Sequence, residues 1–193
     1  MLTEGPLAVT ARVANVLDAL GIPYFVSGSL ASTLYGIVRT TLDSDIVAEM
    51  HVDQVKAFVT MLGDDFYFDE LMIANAISRC SSFNIIHRES MFKVDIFIPV
   101  SRPFLSSQFS RARKTEFSLH GNADTIMFGS PEDTLLSKME WYKQGGEVSD
   151  RQWRDIIGLL ITQGNNLDQV YLRHWAEALE LSALFERALT EAA

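Results

Sequence analysis

Apolar residues recur along the chain with two different periods, and these periods divide it into a mixed segment and a helical segment. Val13, Leu17 and Leu20 are spaced as on one face of a helix, which predicts a helix over residues 10–20. Short apolar runs predict strands at residues 24–27, 82–87, 92–100, 114–119 and 125–128, and a further strand that begins at Asp43. Helical spacing predicts helices at residues 52–62 and 69–80. This alternation predicts an α+β or α/β fold in which helices flank a mixed sheet.

After Gly129 only helical patterns follow. Ser130 stands before Pro131 and two acidic residues, an arrangement typical of a helix N-terminus. Further apolar faces at helical spacing, separated by Gly145-Gly146 and by Gly164-Asn-Asn166, predict a C-terminal helical bundle. We therefore expect a sheet domain over residues 1–129 and a helical segment over residues 130–193 packed on it.

Composition narrows the classes of function. With 25 acidic and 16 basic residues, the chain has a formal charge of −9, which argues against broad binding of long DNA. A nucleotide is still compatible with this charge, because a bound metal ion brings its own positive charge. No apolar run approaches the roughly 20 residues of a membrane helix, and we expect no secretory signal, because no basic segment stands ahead of a long apolar one near residue 1. The single cysteine, Cys80, fits a reducing cytoplasm, and we expect its thiol to be buried.

The segment between Tyr24 and Glu49 carries the candidate chemistry. A strand runs into a turn at Gly28-Ser29 and then a short helix, and Asp43-Ser-Asp45 begins the next strand. Alternate residues of a strand point to the same face, so both carboxylates lie on one side. Two such charges repel unless a cation separates them, and Mg²⁺ prefers carboxylate and phosphate oxygens. The alternative is that both aspartates only solvate the end of a strand.

A glycine-serine turn followed by an Asp-x-Asp strand resembles the nucleotidyltransferase superfamily. Arg39-Thr-Thr41-Leu-Asp43-Ser-Asp45 is similar to its bacterial branch of abortive-infection and minimal nucleotidyltransferases. The resemblance implies a nucleotidyltransferase-like sheet and transfer of an NMP from an NTP to an acceptor hydroxyl, with Mg²⁺ or Mn²⁺. Relatives modify tRNA, proteins or small molecules, and the branch also suggests a toxin–antitoxin system with a small partner protein. A non-catalytic binding module, or a subunit of a heteromeric complex, is the alternative function.

The resemblance also implies roles for residues outside the Asp-x-Asp strand. Asp95, an acidic residue on an apolar strand, is the expected third metal ligand or general base, with a salt bridge to Arg or Lys as the alternative. Gly28 and Ser29 are expected to bind phosphates, although Ser29 also suits a simple helix cap. Arg39 is expected to bind a phosphate or to pair with the aspartates. Lys138 is expected to face the nucleotide, with an ordinary surface lysine as the alternative.

Overall fold

The computed structural model describes residues 5–36, 41–119 and 122–192, and its chain divides into two compact units. The first unit comprises Met1–Leu30 and Thr40–Gly129, and the second comprises Ala31–Arg39 and Ser130–Ala193. Arg39 and most of the expected turn at residues 120–122 lie outside the described residues. Across the described chain, every helix is too short or too polar to cross a membrane.

The first unit alternates strands and helices, as the apolar pattern predicts. Its elements are α1 (Pro6–Ala19), β1 (Tyr24–Ser27), the start of α2 (Gly28–Leu34), β2 (Asp43–Ala48), α3 (Val55–Leu62), β3 (Phe66–Tyr67), α4 (Glu70–Ser78), β4 (Ser82–His87), β5 (Lys93–Phe97), α5 (Pro103–Arg111), β6 (Arg113–Leu119) and β7 (Asn122–Phe128). The expected elements are all present, with ends shifted by a few residues.

Seven strands form one mixed sheet in the order β3-β4-β5-β2-β1-β7-β6. β2 runs parallel to β5 and antiparallel to β1, so it lies at the centre of the sheet. β1 in turn pairs in parallel with β7. The two strands that carry the candidate aspartates, β2 and β5, are therefore direct neighbours, although residues 49–92 separate them in the sequence.

Strand alternation divides the central strands into a core face and an open face. On the core face, Ser44, Ile46, Val94 and Ile96 are fully buried. The residues between them point to the opposite face and are only partly buried. The core face therefore stabilises the sheet by burying apolar area, and the other face carries the partly buried charged side chains of β2 and β5.

The second unit is helical. It contains the remainder of α2 together with α6 (Pro131–Gln144), α7 (Asp150–Gln163), α8 (Gln169–Ala178) and α9 (Ser182–Ala192). Ser130 caps α6 as predicted, since its hydroxyl accepts a hydrogen bond from the Asp133 amide at 3.1 Å. The buried Asp133 carboxylate also accepts a 2.5 Å hydrogen bond from Tyr171, which links α6 to α8.

Three features differ from the sequence-based expectations. The apolar pattern does not predict the two-residue strand β3 or the helix α5, because β3 is too short and α5 too polar to give a clear period. The expectation that Cys80 is buried is wrong, because this residue is exposed directly after the end of α4. Its backbone has a φ of 47°, in the left-handed region that commonly follows a helix.

Candidate functional site

The two aspartates of β2 lie on the open face of the sheet. β2 alternates between partly buried and buried residues, beginning with Asp43, and Ser44 between the aspartates is fully buried. Asp43 and Asp45 therefore share the face opposite to the core, as the Asp-x-Asp spacing predicts.

Asp95 lies beside this pair. In the parallel pairing of β2 with β5, Asp45 is opposite Asp95 and Asp43 is opposite Lys93. Neighbouring strands are about 4.8 Å apart, so Asp95 is the nearest acidic position across the sheet from Asp45. The exposed Asn84 of β4 is opposite Asp95 on its other side. The pairing thus places all three predicted carboxylates on one face.

Lys93 is a charged member of this face that the sequence analysis did not single out. Its Nζ lies 2.6 Å from Asp95 Oδ2, so the salt bridge considered as an alternative for Asp95 is present. The hydrogen bond to Asp95 raises the pKa of the Lys93 ammonium, and the charges of Asp95, Asp43 and Asp45 raise it further against an opposing effect of burial. The sequence does indicate this position, because Lys93 and Asp95 are two residues apart on one strand and therefore point to the same face.

Gly28 provides the space that Asp45 occupies. Its backbone has a φ of +61°, and a Cβ built on it would lie 1.8 Å from Asp45 Oδ2. Any side chain at this position would therefore collide with the carboxylate. The glycine of the turn is expected from the sequence to let a phosphate approach, but the contact observed in the structure is with Asp45.

Thr41 holds Asp43 from the preceding loop. Its hydroxyl lies 2.8 Å from the Asp43 carbonyl oxygen and 3.1 Å from Asp43 Oδ1, and it donates its single proton between these acceptors. Thr41 is 8% exposed, so this contact is largely shielded from water. The sequence alone does not indicate this role, because a threonine in a loop has no distinguishing pattern.

The remaining predicted residues have different positions. Ser29 is nearly buried in the first turn of α2. Lys138 belongs to the second unit, where its Nζ lies 3.0 Å from Asp155 Oδ2. Its side chain is 14% exposed, so Lys138 is not the surface lysine of the alternative interpretation. Arg39 lies outside the described residues.

The three carboxylates meet some of the requirements of a divalent ion. Within the ranges that the structure describes, no group of three or more His, Cys, Asp or Glu side chains is arranged to hold a metal ion. Asp95 is engaged by Lys93, while Asp43 and Asp45 share one face. Mg²⁺ commonly binds one or two carboxylates together with substrate phosphates. Asp43 and Asp45 therefore fit such an ion, whereas Asp95 is engaged by Lys93 in this structure.

The chain is similar to known proteins in its fold. No protein-family model and no curated protein matches it. Among solved structures, an antigenic nucleotidyltransferase-like protein from Paracoccidioides brasiliensis aligns with a TM-score of 0.54 and 19% identity, covering 94% of this chain and 90% of that chain. ANT(2")-Ia in complex with adenylyl-2"-tobramycin aligns with a TM-score of 0.52 and 15% identity, covering 93% of this chain and 95% of that chain. The chain therefore shares the fold of these two solved structures.

Proposed function

We propose that this chain is a metal-dependent nucleotidyltransferase that moves an NMP from an NTP to an acceptor hydroxyl. The observation that carries the proposal is the placement of Asp43, Asp45 and Asp95 on one open face of adjacent parallel strands. A sheet has no structural need for three carboxylates so close together, since like charges repel. Their placement is consistent with a site for a divalent ion and a polyphosphate.

In the proposed reaction, the acceptor oxygen attacks the α-phosphorus, the bond to the bridging oxygen breaks, and pyrophosphate leaves. A bound Mg²⁺ or Mn²⁺ would supply positive charge to the phosphate oxygens. Asp43 and Asp45 would hold that ion, with Thr41 orienting the carboxylate of Asp43. Asp95 would accept the proton of the acceptor hydroxyl on Oδ1, and it would help to hold the ion once Lys93 releases Oδ2.

Residues outside this face are assigned to the nucleotide. We propose that Ser29 and the backbone at Gly28 contact phosphates beside Asp45, and that Arg39 and Lys138 bind the NTP. We consider three classes of acceptor, namely tRNA, protein and small molecules. The structure of the neighbour ANT(2")-Ia contains adenylyl-2"-tobramycin, so tobramycin belongs among the small molecules tested.

Label transfer tests this proposal. The full chain is incubated with α-labelled NTPs and Mg²⁺, in the presence of tRNA, cell protein or tobramycin, and labelled products are separated. We expect transfer that EDTA abolishes and that Asp43→Asn or Asp45→Asn reduces to background. Ser44→Ala is the matched control, because Ser44 lies on the same strand but points into the core. Absence of transfer to every acceptor class, or full activity of both asparagine variants, would contradict the proposal.

A further inference from the structure

Lys93 is a cation placed where a divalent ion would also need to act. It is opposite Asp43 in the strand pairing, two residues before Asp95 on the same face, and its Nζ lies 2.6 Å from Asp95 Oδ2. Lys93 therefore neutralises one of the three carboxylates from within the chain. Because positive charges repel, its ammonium and a divalent ion cannot both occupy the space beside Asp95 without a cost in free energy.

We propose that Lys93 is a positioning residue that holds Asp95 and competes with the divalent ion for this carboxylate. The inference rests on the proposed function, because it takes the carboxylate face as the metal site. Without nucleotide, Lys93 keeps the third carboxylate occupied and lowers the affinity of the face for a free ion. Release of Asp95 leaves the ammonium beside the site, where the phosphates of an NTP offer it a new partner.

This competition predicts an effect opposite to that of an ordinary supporting salt bridge. Loss of a supporting residue weakens metal binding, because the ligands lose their orientation. Loss of Lys93 instead removes a positive charge and frees Asp95, so metal binding becomes tighter. At separations of about 5 Å, a unit charge acting on a divalent ion changes affinity by roughly tenfold even when the interaction is screened as in water.

The inference is tested by measuring how tightly the chain binds Mn²⁺ alone. Electron paramagnetic resonance reports the concentration of the free ion. We expect Lys93→Met to bind Mn²⁺ about tenfold more tightly than the unmodified chain. Lys93→Arg, which keeps the charge, should retain the original affinity. Lys56→Met is the matched control, since it makes the same change in net charge on an exposed position of α3. Thermal melts of each variant establish that it is folded.

A double-mutant cycle with Asp95→Asn tests whether Lys93 acts through Asp95. In the Asp95→Asn background, the gain from Lys93→Met should be smaller than in the unmodified chain, because only the charge repulsion is then relieved and the contested carboxylate is gone. An equal gain in both backgrounds would show that Lys93 does not act through Asp95. An unchanged or weaker Mn²⁺ affinity of Lys93→Met would overturn the inference, as would an equal gain in Lys56→Met. Failure of label transfer with this pattern of Mn²⁺ binding intact would count against the proposed function alone.

Discussion

The carboxylate of Asp45 occupies the space that a side chain at Gly28 would need. A Cβ at position 28 would lie 1.8 Å from Asp45 Oδ2, and the glycine has a φ of +61°. β1 and β2 are antiparallel neighbours with Ser27 opposite Asp45, so the turn after β1 passes directly beside the carboxylate. The glycine of the turn and the aspartate of the strand therefore form one structural unit.

Gly28→Ala should destabilise the protein and disturb the carboxylate face. The alanine would adopt an unfavourable positive φ, which costs about 1–2 kcal/mol, and would also displace Asp45. Gly21→Ala is the matched control, because Gly21 has a φ of +64° but no atom within 4 Å of the added Cβ. Denaturant unfolding should therefore show a larger loss for Gly28→Ala, and only this variant should lose Mn²⁺ binding. Equal losses would contradict the contact with Asp45.

Asp95→Asn should lower the rate of label transfer more than nucleotide binding. Loss of a general base typically reduces turnover by about 10²–10⁴-fold, and Asp95 is assigned to the acceptor hydroxyl. Steady-state kinetics should show a reduced kcat with little change in KM for the NTP. Asp53→Asn, at an exposed position ahead of α3, should leave both parameters unchanged. Turnover of Asp95→Asn within a few-fold of the original would remove Asp95 from the mechanism.

Thr41→Val should weaken the site through Asp43. The substitution keeps the shape of the side chain but removes the hydroxyl that lies 3.1 Å from Asp43 Oδ1. Loss of this hydrogen bond should cost about 1 kcal/mol of unfolding free energy. Mn²⁺ binding and label transfer should fall together, and Thr41→Ser should restore both. A valine variant with normal Mn²⁺ affinity would show that Thr41 does not orient the carboxylate.

Ser44→Ala should stabilise the fold. Ser44 is fully buried, and its hydroxyl has no hydrogen-bond partner among the described residues. A buried hydroxyl without a partner costs about 1–3 kcal/mol, so its removal should raise the free energy of unfolding. Denaturant unfolding measures this change, while label transfer should remain normal. A loss of stability would indicate that the hydroxyl has a partner in solution, such as a buried water.

Alkaline pH should destabilise the protein through Tyr24. Burial raises the pKa of the Tyr24 hydroxyl well above its ordinary value, with a smaller contribution from Asp18 and an opposing hydrogen bond from the Met127 amide. The unfolded chain therefore loses this proton first. The stability that this group contributes is fully present below about pH 10, the ordinary tyrosine pKa, and is lost as the pH rises above it.

Tyr24→Phe should reduce that dependence on pH. Unfolding free energies measured between about pH 9 and pH 11 should fall less steeply with pH for Tyr24→Phe than for the original chain. The difference in slope should correspond to about one proton fewer released on unfolding. Tyr67→Phe is the control, because Tyr67 is 56% exposed. Identical slopes for Tyr24→Phe and the original chain would contradict the assignment.

Local sequence patterns were enough to predict the features that depend on neighbouring residues. Strand alternation placed Asp43 and Asp45 on one face, and the serine before Pro131 marked the start of α6. These features are local, because a strand repeats every two residues and a cap satisfies amides only a few residues away. Such local features are sufficient to predict the sheet, the helical segment and the aspartate pair without any tertiary contact.

Only the tertiary structure decides which strands are neighbours in the sheet. The pairing of β2 with β5 brings Lys93 and Asp95 beside the aspartate pair, although residues 49–92 lie between the two strands. The fold also gives Gly28 its contact with Asp45 and pairs the largely shielded side chain of Lys138 with Asp155. Long-range strand pairing and burial depend on how the whole core packs, which no local period records.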